Sequence, residues 1–324
     1  MKNFVAGALE MALALLLTWL QPAQAAQVEH ASVTTAEGAR EFWVAIPDGP
    51  FGGPHALVLL LHGHSGNATE IIGEQAGLSP LSQWMAIVDR EQIVAIALQG
   101  EKSVRGQRGW NDCRGDTDSN PKVDDVAFAR AVIAWVGERG WLDRARIYAM
   151  GMSNGAMMTL RLAQELEPPL AAFAAVSGSM ASASSCHAAS HPMSALFIAG
   201  TSDPLVPYGG GQVHFLAHSL GGVVSIEDSV EFWRRFDGLP ERPVTAKLAH
   251  LSGSDPTSVT RYTYSGEDGL QVELLQVSGG GHYEPSLVKH PGLLYSRMVG
   301  LQNRDFESAE EAWRFFADKT QAGR

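Results

Sequence analysis

The chain is poor in cysteine, in positive charge and in long apolar runs, and each shortage removes a class of protein. It has two cysteines, Cys113 and Cys186, in 324 residues. Neither belongs to a Cys-x-x-Cys pair, so the spacing of a cysteine-rich zinc site is missing. In an oxidising compartment the two favour a disulfide, although sequence does not set their distance and two free thiols remain the alternative. Lysine and arginine number 24 against 35 aspartates and glutamates, a net charge of −11. With no basic stretch to track phosphates, nucleic-acid binding is not expected.

One apolar stretch stands out, and it lies at the N-terminus. Lys2 precedes the apolar core Met11 to Leu20, and Ala23-Gln24-Ala25 fits small-x-small cleavage. Residues 1–25 therefore read as a signal peptide, with an uncleaved anchor as the alternative because Glu10 interrupts the run. No other segment approaches the roughly 18 apolar residues that span a bilayer. A soluble protein exported to the periplasm or beyond the cell is expected, with no membrane association after cleavage. No repeat, linker or break in composition divides residues 26–324, which read as a single catalytic domain.

The pattern within that domain alternates. Val28 to Thr34 and Glu41 to Pro47 read as strands around Glu37-Gly38. The continuous apolar runs Ala56 to Leu61 and Ile93 to Leu98 suit strands buried on both faces. Thr69 to Arg90 reads as mostly helical, broken at Gly77 and Pro80, and Val123 to Gly137 as a helix with Asp124 and Asp125 at its positive end. Further strands follow at Ala172 to Ser177, Ala195 to Ala199, Arg261 to Tyr264 and Leu270 to Val277. Helices follow at Ile226 to Phe236 and from Ser308, where Ser308 and Glu311 have capping-box spacing. Ala312, Phe315 and Phe316 form its buried side. The fold class is α/β, a mostly parallel central sheet with helices on both faces.

Ligands of such sheets bind past the carboxyl ends of the strands, so the residues there carry the chemistry. Ile147 to Met150 runs into Gly151-Met152-Ser153-Asn154-Gly155, the spacing of a strand-to-helix elbow that lifts one serine above the sheet. Past the Ala195 strand comes Asp203, and past the Leu270 strand come Gly279-Gly280-Gly281-His282. A serine hydroxyl needs an adjacent base, which His282 supplies, and a carboxylate, Asp203, to fix the imidazole tautomer. The intermediate's oxyanion needs two N–H donors: Asn154 supplies one, and His64 is favoured over Ser65 for the other. His62 and His64 also resemble a metal pair but lack a third ligand, and His214 with His218 read as one solvated helix face. The reading implies no metal and no organic cofactor.

The segments "LLLHGHSGN", "GWND", "DDVAFARAVI", "RIYAMGMSNGAMM", "AGTSDPLVPYGGG" and "GGGH" resemble the polyhydroxybutyrate-depolymerase/feruloyl-esterase-like group of secreted α/β-hydrolases, over about residues 40 to 285. The resemblance implies the α/β-hydrolase fold and a serine carboxylesterase with Ser153, Asp203 and His282 as its triad. It places Trp110 and Asn111 near the substrate cleft, with core packing the alternative for Trp110. The group's aromatic-Pro pair after the histidine reads Tyr283-Glu284-Pro285 here, leaving Tyr283 as a substrate-facing aromatic. Residues 286–306 match nothing in the group and, following His282 directly, are expected to shape the leaving-group side. The substrate is then an ester of a hydroxyalkanoate oligomer, of a feruloyl or acetyl group on polysaccharide, or of a small aryl alcohol. An acyltransferase or peptidase on the same triad, or a binding protein without catalysis, are the competing functions.

Overall fold

A computed structural model describes residues 26–74, 79–215, 218–251, 253 and 255–321. The signal-peptide reading of residues 1–25 lies outside them, as does the Gly77 break. An antiparallel hairpin, β1 (Gln27–Thr35) and β2 (Gly38–Ile46), opens the fold, followed by β3 (His55–Leu61), the short α1 (Ala68–Ile71), a 3-10 turn at Pro80–Gln83, and α2 (Trp84–Glu91). Then come β4 (Val94–Leu98), a ribbon of β5 (Glu101–Lys102) and β6 (Arg108–Gly109), α3 (Asp125–Glu138), β7 (Leu142–Met152) and α4 (Asn154–Glu165). The middle runs through β8 (Ala172–Val176), β9 (Ser194–Gly200), the hairpin β10 (Gly211–Phe215) and β11 (His218–Val223), and α5 (Ile226–Phe236). The chain finishes with β12 (Val244–Lys247), β13 (Ser258–Ser265), β14 (Gln271–Ser278), α6 (Leu293–Val299) and α7 (Ser308–Phe316).

One ten-stranded sheet, in the order β1-β2-β4-β3-β7-β8-β9-β14-β13-β12, carries the rest. Strands β4, β3, β7, β8, β9 and β14 are mutually parallel, and antiparallel strands close both edges. Alternate residues of β3 explain its unbroken apolar sequence. Leu57, Leu59 and Leu61 pack with Phe128, Val132, Met158 and Trp233 on one face. Val58 and Leu60 pack with Trp84, Ile87, Phe315 and Phe316 on the other. Each such buried side chain contributes on the order of 1.5–3 kcal/mol, so polar residues at these positions would split the sheet from its helices.

Two local expectations are corrected. His214 and His218 do not share a helix face; they sit on opposite arms of the β10–β11 hairpin, where Phe215 faces His218 and His214 faces Ser219. An i, i+4 pair on two paired antiparallel strands mimics helical spacing, and Val213 and Val223 favour strand there. The capping box at Ser308 does not form. Glu307 occupies the cap position, and its side chain makes no bond to the N–H groups of the first turn. The Ser308 hydroxyl instead donates to the Pro285 carbonyl at 2.6 Å, and Glu311 pairs with Arg261 and Arg314. Asp124 does cap α3, accepting from the Ala127 N–H at 2.8 Å. Its neighbour Asp125 turns inward and binds buried Arg40 at 2.7 Å.

Candidate active site

The elbow is built by close backbone contacts. Ser153 ends β7 with φ 57° and ψ −121°, a conformation ordinarily left to glycine. Its N–H donates to the Val176 carbonyl at 2.8 Å, and its own carbonyl accepts from Met157 at 3.0 Å as α4 begins. A side chain on Gly151 would run into the Gly155 carbonyl, and one on Gly155 into the carbonyls of Leu61 and His62. Both glycines are thus required where the elbow crosses the end of β3.

Three strand ends bring three side chains into line. The His282 Nδ1–H donates to Asp203 Oδ2 at 2.7 Å. That leaves Nε2 as an acceptor for the Ser153 hydroxyl, 2.9 Å away. Asp203 is held in turn, its Oδ1 accepting from the N–H groups of Leu205 and Val206 at 2.8 and 2.9 Å. Side chains of His282 and Asp203 are only 6% and 3% exposed, so their pairing acts in a low-dielectric setting. The long segment after His282 fixes its main chain: Gly281 and His282 donate to the carbonyls of Leu301 and Val299 at 2.7 and 2.6 Å. An array of this kind can draw a proton from a hydroxyl and return it to a leaving group.

The loop after β3 approaches Ser153 from the other side. Ser65 cannot donate toward the serine, because its N–H is bonded to the Arg108 carbonyl at 2.8 Å. His64 and Gly63 line the cleft beside Ser153. His62 is wholly buried, and burial pushes it down to about 4, against the opposing pull of the Gly63 carbonyl. Its Nε2 accepts from the Gly100 N–H at 3.0 Å, and its Nδ1–H donates to the Gly63 carbonyl at 2.8 Å. Both ring nitrogens are therefore occupied, and His62 ties down a loop rather than offering a ligand. Among the described residues no group of three metal-ligating side chains gathers.

Trp110 and Asn111 do not face the cleft. Trp110 is 0% exposed, and its indole N–H donates to the His62 carbonyl at 2.8 Å. Asn111 reaches toward α3, donating from its side chain to the Val123 carbonyl and from its N–H to Asp125. Asp112, one residue further on, does the bridging. Asp112 Oδ2 accepts from the Asn154 side-chain amide at 2.7 Å and from Arg114 at 2.6 Å. Asn154 Oδ1 accepts from the Trp110 N–H at 2.7 Å. The only signal was adjacency within Trp110-Asn111-Asp112, since contacts 42 residues apart leave no local pattern.

Ser153 and His282 open into a cleft of about 410 Å³ lined also by Met152, Leu205, Val206, Phe215 and Tyr283. Val213, His214 and Leu220 reach it from the β10–β11 hairpin, and Tyr295 from α6. Cys113 and Cys186 are joined in a disulfide, which ties the stretch after Asp112 to the loop before β9.

A mainly parallel sheet covered on both faces, with serine, aspartate and histidine past the ends of β7, β9 and β14, defines an α/β-hydrolase. The chain belongs to the phospholipase/carboxylesterase family, which matches residues 50–219. It is accordingly a carboxylic ester hydrolase. It is 32% identical over 282 residues, 84% of this chain and 75% of the relative, to NocK of Nocardia uniformis subsp. tsuyamanensis, named as an esterase. It is 29% identical over 175 residues to feruloyl esterase C of Emericella nidulans, covering 53% of this chain and 58% of that one. With feruloyl esterase B of Piromyces equi it shares 26% over 249 residues, 76% of this chain and 43% of that one. The chain spans less than two thirds of the length of either feruloyl esterase.

Proposed function

We propose that the protein is an exported serine carboxylesterase working through an acyl-enzyme, with Ser153 as nucleophile, His282 as general base and acid, and Asp203 as its orienting carboxylate. The unbroken hydrogen-bond line from Ser153 through His282 to Asp203 carries this reading. The serine attacks the ester carbonyl as His282 takes its proton, and Asp203 stabilises the imidazolium that forms. The oxyanion is met by the N–H groups of Asn154, at the start of α4, and of His64. His282 then protonates the departing alcohol, and water repeats the sequence to release the acid.

The acyl and alcohol groups are proposed to be short. The cleft's volume and its lining of Leu, Val, Met and Phe suit a compact ester, whether a hydroxyalkanoate oligomer, a feruloyl or acetyl ester, or a small aryl ester. Export rests on the segment 1–25 and agrees with the Cys113–Cys186 disulfide, a bond at home outside the cytosol. The test is turnover of aryl acetates, aryl butyrates, methyl ferulate and hydroxybutyrate dimers, with products resolved in the presence and absence of added alcohol. Release of free acid supports the esterase. Transfer of the acyl group to the alcohol in preference to water would make the protein an acyltransferase, and inertness toward the whole panel would contradict both.

A further inference from the structure

The cleft carries two carboxylates and two tyrosines that the triad does not use: Glu70, Glu284, Tyr283 and Tyr295. Glu284 is 5% exposed, and its Oε1 has no hydrogen-bond partner. Its main chain is fixed, the carbonyl accepting from the Gln302 side chain at 2.8 Å. The neighbouring acid Glu307 takes the Ser286 hydroxyl and the Leu287 N–H for itself. Burial first, and the Glu307 charge after it, push Glu284 up to about 8. Burial also raises Tyr283 and Tyr295, and the Glu284 charge adds to both; Tyr295 feels Glu70 as well. The two tyrosine rings meet edge to face with centroids 5.9 Å apart. Among the described residues lining the cleft there is no lysine or arginine.

A buried carboxyl without a partner keeps its proton in the empty cleft, and a cation entering beside it favours the ionised form and pairs with it. Tyrosine faces attract the same charge. A carboxylate-bearing substrate would find no counter-charge in the lining, and a plain alkyl ester would leave Glu284 as unsatisfied as before. We propose that Glu284, Glu70, Tyr283 and Tyr295 form a cation subsite, and that the preferred substrate is an ester bearing an ammonium or quaternary ammonium group. This deepens, and rests on, the serine-esterase reading.

A matched pair of substrates tests it: acetylthiocholine and 3,3-dimethylbutyl thioacetate, which differ in carrying a quaternary nitrogen or a carbon. Wild type should show a kcat/KM ratio of at least about tenfold in favour of the cation. Glu284→Gln should bring that ratio close to one, and because the ratio is taken within one enzyme, any general loss of activity cancels. Calorimetric titration with choline, on wild type and on Glu284→Gln, reads the same subsite without turnover, with binding expected only to the former. Cleavage of the neutral thioester with no cation preference would overturn the subsite, as would a preference unchanged in both Glu284→Gln and Glu70→Gln. Choline binding that depends on Glu284, in a folded protein that cleaves no ester, would uphold the subsite and sink the esterase reading.

Discussion

Asp112 accepts the side-chain amide of Asn154 at 2.7 Å, so a buried carboxylate outside the triad holds the residue that follows Ser153. Arg114 shares that carboxylate, and its guanidinium also reaches the Leu220 carbonyl on the β10–β11 hairpin. One buried network thus joins the elbow to an element that walls the cleft.

Asn154→Ala keeps the main-chain N–H but removes its clamp to Asp112 and Trp110. The expected result is a kcat about tenfold or more lower with a smaller change in KM, since a misaimed donor hurts the transition state first. Denaturant unfolding should show a loss of about 1–3 kcal/mol, from the polar partners left unsatisfied. Unchanged kcat would mean that the clamp is structural only.

Asp203→Asn should fold normally and lose about three to four orders of magnitude in kcat, as an amide at this position favours the wrong imidazole tautomer. Asp237→Asn and Asp255→Asn should stay within a few-fold of wild type. Asp237 accepts from the Met193 N–H, and Asp255 holds Thr257 and Arg304, all outside the triad. An inactive Asp237 or Asp255 variant beside an active Asp203 variant would contradict the assignment.

The elbow, the order of serine, aspartate and histidine, and the parallel sheet were legible because each leaves a local trace. Gly151 and Gly155 are compelled by backbone contact, and β3 is apolar throughout because both its faces are covered. His214 and His218 imitate a helix in sequence, whereas the true determinant is the pairing of β10 with β11. An indole suits a core and a cleft alike, and only its N–H partner, for Trp110 the His62 carbonyl, separates the two. Ser308 fitted a capping box, but tertiary contact with Pro285 took its hydroxyl. Long-range hydrogen bonds decided the roles of Trp110 and Ser308.

Replacing both Cys113 and Cys186 by serine should cost about 4 kcal/mol, given a sequence separation of 73 between the joined residues. Thermal unfolding reads the loss, and alkylation of the oxidised, denatured wild type should find no free thiol. Two reactive thiols in protein recovered from an oxidising compartment would contradict the bond.

Stability should depend on pH through Glu284 and His62, in opposite senses. Glu284 is pushed from 4.5 to about 8, so the folded state holds its proton between those values. Its contribution is full below 4.5 and is lost as pH rises through 8. Glu284→Gln should therefore gain about 1–3 kcal/mol relative to wild type between pH 5 and pH 8.5. His62 is lowered from 6.5 to about 4, so its burial as the neutral form costs stability as pH falls through that window. Denaturant midpoints for the two proteins across pH 4–9 measure both effects, and parallel curves on the alkaline side would contradict the burial of an unpaired Glu284.

Labelling with a fluorophosphonate probe, wild type beside Ser153→Ala, tests the central claim most directly. Ser153 lies 2.9 Å from His282 in a cleft open to small molecules. Stoichiometric labelling of wild type at Ser153 is expected, with loss of ester turnover in step, and no labelling of the folded alanine variant. A Ser153→Ala protein that still labels or turns over esters at the wild-type rate would contradict it.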